Sequence, residues 1–345
     1  MVVMADILLE AKDLHINFFT DEGVVKAVDG VDLTIERGKT LCLVGESGCG
    51  KSVTSRAFLK IIHSPGKIVS GQMLYHRPMP YGTTETVDIA QLDAKGKEIR
   101  TIRGKEIAMI FQEPMSSISV MHTVGNQIIE MIRLHTDASK QEARNQAIEL
   151  LRLVGIPKPE RLVDEYAFRL SGGMRQRVMI AMALSCNPTL LIADEPTTAL
   201  DVTTQAQILE LMRRLQEEYN MALLFITHDL GVVAEIADDV AVMYLGRVVE
   251  QADVNTIFHN PKHPYTKALL ESIPRIAAER TELNPIEGMV PSPFRRPSGC
   301  KFHPRCRERV EQCRHIDPPV THINETHSVR CLLYETELQV EGENG

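Results

Sequence analysis

The sequence contains no tryptophan, and none of its apolar runs approaches the roughly 18 residues that a membrane-spanning helix needs. Its longer apolar runs, such as MALLFI, have the length of buried strands. The first residues lack the basic segment and the long apolar core of a signal peptide. These absences predict a soluble, cytoplasmic protein that acts at a membrane only through partners.

Acidic residues also outnumber basic ones, with 46 Asp and Glu residues and 38 Lys and Arg residues in a chain of 345. A protein that follows the phosphates of a nucleic acid usually has a basic excess or a basic stripe, and this sequence has neither. Sustained heptad repeats, the sign of a long coiled coil, are missing as well. With 43% hydrophobic residues, the composition is that of a globular protein with more than one domain.

Residues 41–52, LCLVGESGCGKS, form an apolar run and a glycine-rich turn that leads into a helical pattern. This order matches the phosphate-loop motif and disfavours the alternative of an ordinary glycine-rich turn before a buried helix. Glycines let consecutive N–H groups converge on an anion, Lys51 supplies charge for the β- and γ-phosphates, and the Ser52 hydroxyl is a Mg²⁺ ligand. We therefore predict that ATP and Mg²⁺ bind at Gly45, Glu46, Ser47, Gly48, Cys49, Gly50, Lys51, Ser52 and Val53.

Apolar strands alternate with amphipathic helices over most of the chain, which predicts an α/β fold with a mostly parallel sheet. Residues 6–40, with a DEG turn signal after residue 19, have the pattern of short antiparallel strands that lead into the phosphate-loop strand. Residues 68–105 are expected to leave the sheet, with one short helix, and residues 115–185 have the periodicity of a helical subdomain. We expect a nucleotide-binding domain at residues 1–254 and a C-terminal extension at residues 255–345.

Polar residues follow three of the apolar strands, at the end of the sheet where α/β proteins bind ligands. Gln112 follows IAMIF, Asp194 and Glu195 follow LLIA, and His228 follows LLFIT. Asp194 is predicted to hold Mg²⁺ with Ser52, and Glu195 to polarise the attacking water as a general base. Gln112 would contact the metal or the water, and His228 the γ-phosphate. Alone, an acidic pair is more often an exposed loop and a histidine a structural residue, but their order after a phosphate loop favours ATP hydrolysis.

The LSGGMRQR sequence at residues 170–177 is a more specific signal than the phosphate loop. Together with GESGCGKS, FQEP, LLIADEP and TALD, it resembles the ATP-binding-cassette (ABC) ATPases over about residues 6–252. The resemblance implies a P-loop NTPase cassette with a mixed sheet, an antiparallel β subdomain and a helical subdomain. It also implies that two cassettes pair head to tail, so that the helix N-terminus at LSGG, a natural anion site, closes over ATP held by the other cassette.

The same resemblance implies roles for individual residues. Gln112 would couple the nucleotide to a transmembrane partner, and Asp201 would belong to the D-loop that reaches across the cassette pair. Phe18 would stack on the adenine base, with the neighbouring Phe19 as the alternative aromatic. The residues that would close over the partner's nucleotide are Ser171, Gly172 and Gly173.

The stretches PKHPYTKALL and PSPFRRPSGCKFHPRC resemble a narrower branch, the ATPase subunits of dipeptide and oligopeptide permeases. This branch implies a peripheral ATPase at the cytoplasmic face of the membrane that drives peptide import. Its expected partners are a second, similar ATPase in a heterodimer, two integral membrane permease subunits and an extracytoplasmic peptide-binding protein. Import of another small solute such as nickel stays open, as does a soluble ABC ATPase without a transport role.

Four cysteines, Cys300, Cys306, Cys313 and Cys331, are separated by 5, 6 and 17 residues in a Pro-rich segment. In a reducing compartment such a group indicates metal rather than disulfides. The spacing lacks the C-x₂-C pairs of structural zinc sites and does not match either ferredoxin run. The resemblance favours a [4Fe–4S] cluster. A Zn²⁺ site that adds His303, His315 or His327, and free structural cysteines, remain the alternatives.

Three arginines, Arg295, Arg296 and Arg305, lie close to these cysteines in the sequence. They could offset the charge of a thiolate-rich cluster. A solvated basic face is the simpler interpretation.

Overall fold

The computed structural model describes residues 6–79, 83–112, 118–198, 200–272 and 286–335. Ala199 of the TALD motif and the last two residues of FQEP lie outside these ranges. The chain divides into two units. The first comprises residues up to Leu8, Ile35–Thr40 and Gln91–Ile226, and the second comprises Leu9–Thr34, Leu41–Ala90 and the chain from Thr227 onward.

The described chain contains twelve strands and ten α-helices. The strands are β1 (Ile7–Thr20), β2 (Gly23–Glu36), β3 (Thr40–Val44), β4 (Gly66–Pro78), β5 (Thr84–Asp88), β6 (Ile107–Ile110), β7 (Leu190–Asp194), β8 (Ala222–Thr227), β9 (Asp239–Tyr244), β10 (Arg247–Asp253), β11 (Thr321–His322) and β12 (Ser328–Val329). The α-helices are α1 (Lys51–Phe58), α2 (Lys97–Ile102), α3 (Val124–His135), α4 (Lys140–Leu153), α5 (Pro159–Leu162), α6 (Gly172–Ala183), α7 (Val202–Tyr219), α8 (Leu230–Ile236), α9 (Val254–His259) and α10 (Pro264–Glu271).

The first unit is built on the parallel strands β6, β7 and β8, with β7 in the middle. Every residue of β7 and β8 is buried, which explains why these strands appear in the sequence as continuous apolar runs. Helices α3, α4 and α6 pack against one another. Helix α4 begins with a capping box, in which Ser139 and Glu142 satisfy each other's backbone N–H groups. The predicted helical region is confirmed over its described part.

The second unit contains an antiparallel sheet of strand order β2-β1-β4-β5. Strands β1 and β2 have 14 residues each and are longer than the short strands that the sequence predicts. The expected departure from the sheet after residue 68 is wrong, because β4 and β5 belong to this sheet and only helix α2 follows them. Met73 and Tyr75 are buried alternate residues of β4. This period-2 pattern outweighs Pro78, the last residue of β4.

The second unit also contains the strands in the order β11-β12-β10-β9-β3, in which β3 and β9 are parallel and the other pairs are antiparallel. The C-terminal segment therefore contributes edge strands. A buried carboxylate joins its parts: Glu250 of β10 accepts hydrogen bonds from the backbone N–H groups of Lys262 and His263, at 2.6 and 3.0 Å. It also pairs with Nε2 of His327 at 2.9 Å. In the described chain, no helix is both long and apolar enough to cross a membrane.

Candidate functional site

The phosphate loop lies in the second unit and begins where the buried strand β3 ends. Gly45 and Gly50 have positive φ angles of 148° and 109°. A Cβ atom at Gly45 would lie 2.2 Å from the carbonyl oxygen of Met243, and one at Gly50 would lie 2.4 Å from that of Ala27. Only glycine allows the loop to approach neighbouring backbone this closely. The predicted order of strand, loop and helix is confirmed, with α1 beginning at Lys51.

The side chain of Lys51 is held by the loop itself. Its ammonium group donates to the carbonyl oxygens of Gly45 and Glu46, at 2.7 and 3.2 Å, and lies 3.9 Å from Sγ of Cys49. Lys51 is 5% exposed. Its positive charge is therefore concentrated against the loop and not extended into solvent.

The acidic pair lies in the first unit. Strand β7 ends at Asp194, which is fully buried, and Glu195 follows with a left-handed backbone (φ 48°). Oε2 of Glu195 accepts hydrogen bonds from Nε2 of Gln112 at 3.0 Å and from Oγ1 of Thr198 at 3.1 Å. Left-handed backbone costs a residue with a Cβ about 1–3 kcal/mol, and such strain is concentrated at functional sites. The structure thus brings Gln112 and Glu195 together and orients the Glu195 carboxylate with two donors.

The signature segment and the D-loop residue also meet in the first unit. The Ser171 hydroxyl caps α6 by accepting from the N–H of Met174 at 3.3 Å. Asp201 caps α7 by accepting from the N–H and the hydroxyl of Thr204, at 3.0 and 2.8 Å, and these hydrogen bonds lower the pKa of Asp201. A Cβ at Gly173 would lie 2.8 Å from the methyl group of Thr204. The N-terminal ends of α6 and α7 therefore pack together through Thr204.

Two further predicted residues lie in the second unit. Phe18 is half-buried on β1, and a Cβ at Gly66 would lie 2.8 Å from its ring. His228 is exposed directly after β8, beside Asp229, which caps α8. The positions of Phe18 and His228 do not show whether these side chains contact the adenine base or the γ-phosphate, so both roles stay predictions.

The four cysteines of the C-terminal segment are free thiols, and three of them, Cys300, Cys313 and Cys331, are buried. Burial raises the pKa of Cys331 to about 12, and the negative charges of Cys300, Cys306 and Cys313 add to this effect. Cys331 therefore stays protonated at neutral pH. As a donor set, four cysteines fit four-thiolate ligation, which would remove the thiol protons. Among the described residues, however, no three His, Cys, Asp or Glu side chains are arranged to hold a metal ion.

The histidines of the alternative zinc site are partly engaged elsewhere. One ring nitrogen of His327 is paired with Glu250, and Nδ1 of His303 lies 2.9 Å from the carbonyl oxygen of Cys300. His315 is exposed. Two of the three histidines therefore have one ring nitrogen engaged within the protein.

The solvated basic face is wrong for two of its three arginines. Nη1 of Arg296 donates to Asp29 at 2.8 Å, and Arg305 donates from both terminal nitrogens to Glu46, at 2.7 and 3.0 Å. Only Arg295 is exposed. The partners precede these arginines by 267 and 259 positions, so no local pattern reveals the pairing.

Some residues that contact the site have a role that no sequence motif indicates. Thr198 and Thr204 hold Glu195 and Asp201, and the hydroxyl of Tyr265 accepts from the N–H of Glu46 at 2.9 Å. Tyr265 lies within PKHPYTKALL, a stretch whose sequence indicates only the permease branch. Its contact with the phosphate loop joins residues 219 positions apart, so no local sequence pattern predicts it.

Two family models match this chain. The model described as ABC transporter matches residues 28–198, and the model described as oligopeptide/dipeptide transporter, C-terminal region, matches residues 249–313. The chain is 50% identical over 331 residues to the oligopeptide transport ATP-binding protein AppD of Bacillus subtilis, covering 96% of this chain and 98% of that protein. It is 45% identical over 324 residues to the dipeptide transport ATP-binding protein DppD of Haemophilus influenzae, covering 94% of each.

Solved structures agree with the fold. The dimeric ATP-binding cassette MJ0796 bound to ADP and Pi superposes with a TM-score of 0.62 at 25% identity, covering 72% of this chain and 99% of that one. The cbiO1 protein of Clostridium perfringens, part of the ABC transporter complex cbiONQ, superposes with a TM-score of 0.60 at 28% identity, covering 74% and 92%. The chain therefore belongs to the ABC transporter ATP-binding proteins, in the branch that carries the oligopeptide/dipeptide transporter C-terminal region.

Proposed function

We propose that this chain is the ATP-hydrolysing subunit of a membrane importer of di- and oligopeptides. The observation that carries the proposal is the match, over nearly the whole of both chains, to ATP-binding proteins named for oligopeptide and dipeptide transport. That match includes the C-terminal region, which a general cassette does not need. Within the chain we assign residues 1–254 to the cassette and 255–345 to the extension.

The phosphate loop binds the triphosphate. Lys51 exchanges the carbonyl oxygens of Gly45 and Glu46 for phosphate oxygens, and the turn at Gly50 directs the first N–H groups of α1 toward the anion. The Ser52 hydroxyl ligates Mg²⁺. When bound, Mg²⁺ neutralises charge that develops on the phosphates.

The acidic pair serves metal binding and hydrolysis. Asp194 holds Mg²⁺, and Glu195 accepts the proton of the attacking water as general base. Gln112 and Thr198 keep the Glu195 carboxylate in one orientation, as their hydrogen bonds to its Oε2 support. His228 contacts the γ-phosphate, and Phe18 stacks on the base.

A second cassette completes the nucleotide site. We assign Ser171, Gly172 and Gly173 to the partner's ATP, because an N-capped helix start is a ready anion site. The partner is a similar ATPase subunit in a heterodimer. Closure of the pair is passed through the Gln112 region to two membrane permease subunits, and hydrolysis resets it. An extracytoplasmic protein delivers the peptide, and this chain works at the cytoplasmic face.

We assign a [4Fe–4S] cluster to Cys300, Cys306, Cys313 and Cys331. The burial of Cys300, Cys313 and Cys331 supports this assignment, and a cluster would cross-link a segment that has little core of its own. Iron analysis of anaerobically purified protein, together with absorbance near 400 nm, tests it. Iron that is lost in Cys306→Ser is expected, and zinc alone would overturn the assignment.

The transport function is tested by recovering the tagged chain from membranes. Integral membrane permease subunits should accompany it, and loss of the chain should abolish uptake of labelled di- and tripeptides. Recovery with ribosomes and without membrane proteins would contradict transport. Uptake of Ni²⁺ but not of peptides in the same cells would select the alternative substrate.

A further inference from the structure

The phosphate loop is attached to the C-terminal segment at its second residue. Glu46, of the GESGCGKS motif, forms a two-pronged ion pair with Arg305, at 2.7 and 3.0 Å. The Arg305 side chain is 4% exposed, and that of Glu46 is 25% exposed. A planar guanidinium paired in this way fixes both the position and the orientation of the carboxylate.

The backbone of the same residue is held as well. The N–H of Glu46 donates to the hydroxyl of Tyr265 at 2.9 Å. Tyr265 is fully buried near the start of α10, and burial raises the pKa of its phenol, so the hydroxyl stays neutral. Both the side chain and the main chain of Glu46 are therefore fixed by the C-terminal segment.

The two attaching residues rest on a rigid support. The ring of Tyr244 lies 4.7 Å from that of Tyr265 and 5.2 Å from that of Phe302, and the latter two are 5.3 Å apart. The Arg305 guanidinium lies 5.9 Å from the centre of the Tyr244 ring, and its Nε donates to the carbonyl oxygen of Glu287 at 3.1 Å. Packed rings and a second hydrogen bond limit the movement of Arg305.

Charge gives Arg305 a second effect on the loop. A carboxylate within a loop that receives a triphosphate repels the ligand, and this repulsion is stronger near a partly buried site than in bulk water. Arg305 neutralises Glu46 from the side of the C-terminal segment. Removing the guanidinium would therefore free the loop and leave an uncompensated negative charge in it.

We propose that Arg305 and Tyr265 are positioning residues for the phosphate loop, so that ATP affinity depends on the C-terminal segment being folded against Glu46. The inference rests on the proposed ATP site, which it extends to residues outside the cassette motifs. Arg305 directly precedes Cys306. The four-cysteine segment and the loop are thus joined through neighbouring residues.

The test is calorimetric titration of the full chain with MgATP, in a double-mutant cycle of Arg305→Ala and Glu46→Gln. Arg305→Ala should weaken binding about tenfold. In the Glu46→Gln background, the same substitution should cost no more than about twofold, because the residue acts through Glu46. Arg305→Lys should recover part of the loss, and Tyr265→Phe should weaken binding about threefold.

Arg307→Ala is the matched control, since Arg307 lies in the same segment but is exposed and pairs with Glu287 on the surface. It should bind MgATP as the wild type does. A purely structural role would lower the thermal midpoint of Arg305→Ala without changing the ATP dissociation constant, and would overturn the proposal. Equal losses in both backgrounds of the cycle would overturn it too.

The proposed ATP site has its own control. Lys51→Ala should abolish MgATP binding whatever the C-terminal segment does. If Lys51→Ala binds tightly, the proposed function fails. If Lys51→Ala abolishes MgATP binding but the Arg305 and Tyr265 variants bind MgATP as the wild type does, the inference fails and the proposed function stands.

Discussion

The buried histidine at the start of α10 should make the stability of the second unit depend on pH. His263 is 1% exposed, and its Nδ1 accepts a hydrogen bond from the N–H of Tyr265 at 3.0 Å. Only the neutral ring can accept there. Burial lowers the pKa of His263 to about 4, since the attraction of Glu250 offsets only part of the desolvation and Lys267 opposes the charge.

The sign follows from where each state takes up the proton. In the unfolded chain the imidazole titrates near its ordinary pKa of about 6.5. Between that pH and about 4, the unfolded state binds a proton that the folded state does not, so acidification favours unfolding. The free energy of unfolding falls by about 3.4 kcal/mol when the pH passes through the whole range from above 6.5 to below 4. Between pH 7.5 and 5.5 it falls by about 1.4 kcal/mol.

Urea unfolding at pH 7.5 and 5.5, followed by circular dichroism, measures this loss. Hydrogen bonds from His327 and other donors outweigh the effect of burial and lower the pKa of Glu250. Glu250 therefore becomes protonated only below this interval of pH. His263→Asn keeps a side-chain acceptor at the N-cap and removes the titration, so it should lose about 1.4 kcal/mol less than the wild type. His259→Asn, at an exposed position, should behave as the wild type does. Equal pH dependence in wild type and His263→Asn would refute the reasoning.

Four further variants probe the phosphate loop, the proposed base and the contacts of Glu250. Gly45→Ala should raise the ATP KM more than tenfold, because its Cβ would clash with the carbonyl oxygen of Met243. A Cβ at Gly48 would have no neighbouring atom within 4 Å, so Gly48→Ala should have only the cost of a positive φ, about 1–2 kcal/mol. Steady-state kinetics of the two variants measure the difference. Thr198→Val removes one donor to Glu195 and should lower kcat about threefold to tenfold with KM unchanged, which an ATPase assay measures. Glu250→Ala leaves the N–H groups of Lys262 and His263 and the ring of His327 without this acceptor, and it should destabilise the protein by about 3–6 kcal/mol in urea unfolding.

Much of the site could be predicted because its chemistry is local. A strand, a glycine turn and a helix beginning at Lys51 are neighbours in sequence, so their order alone specifies a phosphate loop. Asp194 and Glu195 follow from the same logic, since a polar pair ends a wholly apolar strand. Nothing in the residue type of Glu195 predicts its left-handed backbone, which only the structure reveals.

The missed features depend on long-range contacts. Arg305 belongs to a basic group in the sequence, yet its partner Glu46 lies 259 positions earlier. Pro78, the last residue of β4, argues against a strand in the sequence, although Met73 and Tyr75 alternate as buried residues. Pairing across such distances is decided by tertiary packing, which neither composition nor periodicity reports.

Of the proposed roles, that of Glu195 as general base is the one on which ATP hydrolysis by this chain depends most directly. Steady-state hydrolysis by the purified full-length chain should be compared between wild type and Glu195→Gln, with MgATP binding measured on the same samples. The account predicts that kcat falls by about 100-fold or more while binding is retained. Hydrolysis by Glu195→Gln at the wild-type rate would contradict it.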